Sequence, residues 1–313
     1  MSKLTIAITG ANGVIGRGVV SHALAEGHNV VAVDIAPEPH PNAGGEGYTF
    51  KSVDMMKEAD FRKAIEGCDA LIHLAAVYSL QNPTDPDGPL LRYVPEEVSG
   101  QKNELTQTVH NVNSTMSWNA LQAAGEVGIE RISMASSVNA IGLIFSKPRP
   151  HFDYLPLDEE HTRYPQDSYS LCKLAVEEQA AAFCRRYPKM RIGCFRPHWV
   201  IPESLAYNPE ALHAAQGNWK DLWGWTSVGG TARAFLAGIT APTSTFPLGA
   251  ENFFIVAPTI VQQSSSLELL RKYYPDLKCE MRREWKANEG FFDCSKAKHM
   301  LGWEERAFPW TPE

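Results

Sequence analysis

Leu4-Thr5-Ile6-Ala7-Ile8-Thr9-Gly10-Ala11-Asn12-Gly13-Val14-Ile15-Gly16-Arg17 decides how the chain folds. An apolar run of strand type enters a turn with three glycines, and Val19, Val20 and Leu24 follow at helical spacing. Strand, glycine turn and helix in this order form a place for the pyrophosphate of a dinucleotide. Gly10 permits the tight turn, Gly13 lets backbone approach the phosphates, and Gly16 lets helix and strand pack closely. Asn12, Val14 and Ile15 complete the phosphate-facing segment, where the helix N-terminus offers unpaired N–H groups. The spacing is Gly-x-x-Gly-x-x-Gly, not Gly-x-Gly-x-x-Gly, and read alone the triplet also fits an ordinary surface turn.

The next segment argues against that alternative. Asn29-Val30-Val31-Ala32-Val33 reads as a second buried strand ending in Asp34. An acid about 20 residues beyond the glycines is placed to accept from a ribose 2′-hydroxyl. A 2′-phosphate would be repelled there, and Ile35-Ala36-Pro37-Glu38 supplies no cation, so the reading is NAD over NADP. Arg17 is taken as a helix-surface arginine.

The alternation continues. Strands are expected over 49–53, 70–74, 131–135 and 191–195, and helices over 59–65, 113–127 and 167–186. Strands separated by helices imply a parallel sheet with right-handed crossovers, and ligands bind beyond its carboxyl ends. The fold class is α/β: a Rossmann-type doubly wound parallel sheet over 1–195, followed by a smaller C-terminal substrate-binding lobe over 196–313, with segments of the latter able to return to the sheet. The proline-rich stretches 79–100 and 143–166 follow the fourth and fifth strands, and read either as binding loops or as solvated decoration.

Tyr169 and Lys173 lie four residues apart on one helix face. A phenol of ordinary pKa about 10 is a poor base at neutral pH. A neighbouring ammonium and a positive nicotinamide favour the phenolate, so Tyr169 can exchange a proton with a substrate hydroxyl beside a hydride transfer. Ser136 and Ser137 close the fifth strand, where a hydroxyl can polarise a carbonyl or simply end a strand.

These segments resemble the extended short-chain dehydrogenases/reductases of the NAD-dependent epimerase/dehydratase family. The resemblance is carried by Thr9 to Gly16, Asp34, Asp54-Met55, His73-Leu74-Ala75-Ala76, Asn113, Ser136-Ser137 with Gly142, and Tyr169 with Lys173. Further on, Arg196-Pro197, Phe292-Asp293-Cys294-Ser295-Lys296 and Leu301-Gly302-Trp303 also match. It implies that Asp54 and Met55 contact adenine, that Leu74, Ala75 and Ala76 line the cofactor cleft, and that Ser137 is the catalytic hydroxyl. Ser136 is implied near the nicotinamide, Asn113 in support of the lysine, and Pro197 and His198 over the nicotinamide. A homodimer through two helices of the nucleotide-binding domain is also implied. Two departures weaken the case for a nucleotide-sugar substrate. Trp199 stands where relatives acting on such sugars carry asparagine, and Gly230 stands where a Tyr-x-x-Val-x-Asp-Val-Ala pattern has its acid. Trp199, Trp219, Trp223 and Trp225 read either as a partly apolar substrate surface or as packing of the lobe.

Composition fits a small-molecule enzyme. With 29 basic and 36 acidic residues the formal charge is −7, which offers nothing to nucleic acid. No run has the length of a membrane helix, strand-like sequence begins at Leu4 without room for a signal peptide, and the six cysteines show no Cys-x-x-Cys spacing. The ten histidines show no zinc-type pairing, so no metal is expected. The expected setting is cytoplasmic, with Cys172 a buried thiol or, read otherwise, an oxidation-sensitive one. Functional readings are an NAD-dependent dehydrogenase acting on a sugar, sugar acid or aromatic alcohol, an epimerase or dehydratase retaining NAD, and a non-catalytic NAD-binding regulator. The intact serine, tyrosine and lysine speak against the last.

Overall fold

The computed structural model describes residues 3–36, 45–77, 102–206, 208, 210 and 217–305. Its centre is a seven-stranded parallel sheet. In chain order the strands are β1 (Thr5–Thr9), β2 (Asn29–Asp34), β3 (Tyr48–Ser52), β4 (Ala70–His73), β5 (Arg131–Ala135), β7 (Arg191–Pro197) and β10 (Gly249–Ile255). In space they run β10-β7-β5-β4-β1-β2-β3. The direction of winding reverses between β1 and β4, and a crevice opens there at the carboxyl ends of the strands. The strands were expected from short apolar runs, and their ends shift by a residue or two. β4 stops at His73, one short of Leu74, and β7 runs on to Pro197 because its partner β10 extends the ladder to Ile255.

Helices cover both faces. One face carries α2 (Glu58–Ile65), α3 (Lys102–Val127) and α4 (Ser168–Arg186), packed through Phe61, Leu121, Val176 and Phe183. α3 begins well before the expected Asn113, through a polar stretch where apolar periodicity gives no signal. The other face carries α1 (Val14–Ala25), α6 (Val228–Thr240) and α8 (Ser295–Leu301), which bury Val19, Phe235, Ile239 and Ala297. α5 is one helical turn at Glu203–Ala206 and α7 spans Ser266–Tyr273.

The expected division at residue 195 is crossed twice. α6 and β10 come from beyond it and complete the nucleotide-binding sheet. Conversely, residues 143–166 are neither solvated decoration nor a free loop. Leu143, Phe152, Leu155 and Leu157 join Ile201, Trp223, Trp225 and Phe291 in the core of the lobe, where β6 (Tyr154–Leu155) pairs with β11 (Glu280–Met281) and β8 (Val200–Ile201) with β9 (Thr226–Ser227). The other long stretch, 79–100, lies outside the described residues. Of the four tryptophans in question, Trp223 and Trp225 are lobe core, Trp219 is half-buried beside them, and Trp199 is 40% exposed.

The acid missing at position 230 is supplied from elsewhere. Ser227 is the N-cap of α6, its Oγ accepting from Gly230 N (2.8 Å). In a capping box the third helical residue would return a carboxylate to the N-cap amide. Here Glu305 does so: its Oε2 accepts from Ser227 N (2.9 Å) and Thr226 Oγ1 (2.8 Å). Trp303 Nε1 donates to Gly230 O (2.8 Å) beside it, and a Cβ at Gly230 would overlap the Glu305 carboxylate.

Burial in the lobe also leaves a titratable mark. Asp221 is buried next to Leu222 and Trp223, and desolvation pushes its carboxyl up to about 7. A carboxyl raised in the folded state favours folding most below its unfolded pKa, about 4. That contribution is lost as pH rises toward 7. Asp221→Asn is therefore expected to melt above the parent protein, by a margin that grows between about pH 4 and pH 7 and is flat above. Melting curves at pH 4, 5.5, 7 and 8 check this, and a margin independent of pH would refute it.

Candidate active site

Three loops at the carboxyl ends of β1, β2 and β4 build a cradle. Gly10 has φ +65°, and a Cβ there would come within 2.8 Å of Ala75 N, so the loops after β1 and β4 meet backbone to backbone. A Cβ at Gly16 would overlap the Gly10 carbonyl. Gly13 is the N-cap of α1 and brings no side chain to its first amides. The free N–H groups and positive dipole end of α1 are thus left for an anion, with no acid in the first turn. Val14 opens the helix on the exposed side, while Ile15 packs partly into the core.

Asp34 closes this cradle. Its Oδ2 accepts from Asn12 N (2.9 Å) and its Oδ1 from Ala36 N (3.1 Å), which ties the glycine loop to the end of β2. Arg17 folds back to donate from Nε to Asn12 O (2.8 Å). Asp54 turns the chain after β3, accepting from Met56 N (2.9 Å). Met55 is only 5% exposed. It is buried in the core beneath α3, and its carbonyl accepts from Asn119 Nδ2 (2.8 Å), while Ile35 and Met56 are the exposed apolar side chains near this rim.

Thr9 and His73, for which sequence reading proposed no role, hold the two central loops in register. Thr9 Oγ1 accepts from Leu74 N (3.1 Å) and Ala75 N (3.3 Å), leaving its proton for His73 Nδ1 (2.8 Å). Burial, with the Lys173 charge adding to it, pushes His73 down to about 3, so the ring is neutral with its proton on Nε2. Both residues stand inside the quoted motifs, and that position was the available signal. Ala76 continues the half-buried wall after Ala75.

The residues expected to do chemistry gather where β5 meets α4. Tyr169 lies in the first turn of α4, which Asp167 caps by accepting from Ser170 N (2.8 Å). Its ring meets Phe145 edge-to-face at 5.9 Å. Lys173 Nζ lies 5.8 Å from the centre of that ring and donates to Ala135 O (2.8 Å). Burial lowers the Lys173 pKa and leaves its charge poorly screened from the phenol. The positive end of α4 acts in the same sense.

Ser137 is the N-cap of a short 3₁₀ turn (Val138–Ile141), its Oγ accepting from Asn139 N (3.1 Å). Ser136 is different. Its hydroxyl donates to Glu177 Oε1 (2.7 Å), so its proton is not available to a nicotinamide. Adjacent residues leaving a strand point to opposite faces, so Ser137 turns the other way from Ser136, toward Asn139. Glu177 in turn receives Arg196 Nε and Nη2, each at 2.7 Å, in a fully buried bidentate pair.

Asn113 grips the backbone of Val77 at both ends, accepting from N (2.7 Å) and donating to O (2.8 Å). Its implied support of Lys173 is therefore not a direct contact: Nδ2 also reaches Cys172 Sγ (3.5 Å), the neighbour of the lysine. Cys172 is completely buried and desolvation raises its pKa, the state of an unreactive thiol. Pro197 ends β7 at the cleft. His198 does not lay its ring there: Nε2 donates to Asp221 O (2.8 Å), Nδ1 accepts from Trp199 N (2.6 Å), and burial pushes its pKa down to about 4.

Residues 6–87 and 96–215 match the NAD dependent epimerase/dehydratase family. The chain belongs to that family, whose members are NAD-dependent and of the extended short-chain dehydrogenase/reductase type. GDP-mannose 3,5-epimerase 1 of Oryza sativa subsp. japonica is 29% identical over 204 residues, which cover 62% of this chain and 46% of that protein. The dTDP-6-deoxy-L-talose 4-dehydrogenase (NAD(+)) of Aggregatibacter actinomycetemcomitans is 23% identical over 66% of this chain and 64% of its own. The match thus spans less than two thirds of either relative. Among solved structures, a mutated uronate dehydrogenase superposes with a TM-score of 0.63 at 18% identity, covering 98% of this chain and 83% of that one. The UDP-glucose 4-epimerase of Thermotoga maritima gives 0.64 at 19% identity, covering 97% and 94%.

Proposed function

We propose that the protein is a net dehydrogenase or reductase, moving a hydride between NAD and a secondary alcohol or carbonyl of a small molecule, a sugar, sugar acid or aromatic alcohol. The observation that carries the choice is Trp199. It stands 40% exposed beyond the end of β7, where relatives acting on nucleotide sugars offer an asparagine amide to the diphosphate, and a mostly apolar indole cannot offer that amide. The glycine cradle fits the cofactor's pyrophosphate, since each Cβ added at Gly10 or Gly16 would meet backbone. Asp34 at the ribose selects NAD over NADP by repelling a 2′-phosphate. When bound, NAD accepts the hydride from the substrate carbon.

The chain's own groups handle the proton. Lys173, anchored on Ala135 O, stabilises the phenolate of Tyr169, which takes the proton from the substrate hydroxyl. Ser137 donates to the same oxygen as it becomes a carbonyl. In the reducing direction Tyr169 returns the proton. A second reading, an epimerase keeping its NAD, is favoured by the GDP-mannose epimerase relatives and uses the same three residues. The NAD content of extensively dialysed, then denatured protein separates the two. A nearly stoichiometric content sinks the dehydrogenase reading. Empty protein that reduces added NAD with D-glucuronate, D-galacturonate, D-glucose or 1-phenylethanol supports it.

Two copies would pair through α3 and α4, whose outer faces expose Trp118 and Leu171 at 46% and 48%. The six cysteines, all free, suit a cytoplasmic location, and no described helix is long and apolar enough to cross a membrane.

A further inference from the structure

A hydroxyl oxygen has two acceptor lobes and one proton. At Ser137 both lobes face donors from a single residue, Asn139, whose backbone N lies at 3.1 Å and whose Nδ2 lies at 3.4 Å from Oγ. The amide cannot be the other way round, because its Oδ1 accepts from Ile144 N (3.1 Å). The turn that carries it is fixed as well. Asn139 O accepts from Gly142 N (2.8 Å), and Gly142 has φ +85° with the Tyr164 carbonyl where a Cβ would stand. Ser137 is left with a proton to give and no lobe to accept with.

The geometry points to Asn139 as a positioning residue that makes Ser137 a one-way donor toward the reacting atom of the substrate, a role that rests on the dehydrogenase reading above. It has a consequence for substrate class. An alcohol oxygen accepts from Ser137 while giving its own proton to Tyr169, and a carbonyl oxygen accepts from both. An ammonium or iminium nitrogen has no lone pair to accept with and would face a donor hydrogen, so the site favours oxygen over a cationic nitrogen at the reacting carbon. An aspartate at 139 would keep the Ile144 bond yet put an acceptor against Ser137, drawing its proton away from the cleft.

The test is a double-mutant cycle on Ser137→Ala, Asn139→Asp and the two combined, with Asn139→Ala as a milder variant. Oxidation of the four alcohols named above is followed by NADH absorbance, NADH binding by fluorescence, and folding by melting. For Asn139→Asp kcat is expected to fall about 100-fold, as for loss of one oxyanion donor. NADH affinity and KM should stay within about twofold, as for a group acting only in the transition state. The combined variant should be no slower than Ser137→Ala alone, because both changes remove the same donated proton. Asn139→Ala should lose less. Additive losses, full activity in Asn139→Asp, or NADH affinity falling together with kcat would each overturn the assignment of Asn139 alone. If the unaltered protein oxidises none of the four, the dehydrogenase reading falls and this role falls with it.

Discussion

Replacing Tyr169 with phenylalanine is expected to lower kcat by about 10²- to 10⁴-fold while leaving NADH affinity nearly unchanged. The phenyl ring keeps the edge-to-face contact with Phe145, and Asp167 still caps the helix, so the change removes one oxygen and little else. Lys173 does not take over the proton. Its ammonium is tied to Ala135 O, and the ring it faces has lost the charge it would steady. Steady-state rates with NAD and whichever alcohol proves active, set beside NADH fluorescence titration, measure both quantities. Equal rates in the two proteins would remove Tyr169 from the chemistry.

The second large effect is on stability. Arg196→Met is expected to cost about 3–5 kcal/mol by leaving the Glu177 carboxylate buried without its bidentate partner. In melting temperature this is a drop on the order of 10 °C. The Ser136 hydroxyl still donates to Glu177, and Arg163 stands 3.8 Å from its other oxygen, which favours the lower end of that range. Arg196→Lys should not restore the parent, because one ammonium cannot make two parallel bonds. Combining Arg196→Met with Glu177→Leu should recover most of the loss, since two apolar side chains need no counter-charge. Chemical denaturation of the three variants decides it. A single variant no less stable than the parent would show the pair to be dispensable.

These two predictions differ in how far their residues could be read from the chain. Tyr169 and Lys173 share one helical turn, and Gly10, Gly13 and Gly16 share one strand–turn–helix, so local spacing suffices to find them. The strands were legible because each is a compact apolar run. Arg196 and Glu177 were not legible as partners, since each is a single charge in a different element and nothing local marks one for the other. The same holds for Ser136 and His198. Their position at the ends of strands was right, but which way each side chain turns depends on Glu177 and Asp221, which the fold brings in from outside. Met55 shows the same limit: the turn after β3 sends it inward, under α3, where Asn119 holds its carbonyl. The stretch 143–166 misled for another reason. Its prolines mark it as irregular, yet irregular chain can still supply core, as Leu155 and Leu157 do.

The carboxylate of Glu305 at the start of α6 bears on the order in which the molecule can be completed. A chain leaves the ribosome from its N-terminus, and domains generally fold as units while it does so. Here the helix over 228–240 emerges with an amide at Ser227 whose acceptor has not yet been made. The indole that steadies Gly230 is equally late. The start of that helix is therefore fastened only when residues 303–305 arrive, long after the glycine cradle and Tyr169 have been synthesised. A nascent chain stalled before Trp303 would hold the glycine cradle, Ser137, Tyr169 and Lys173 and still lack the latch at the start of α6.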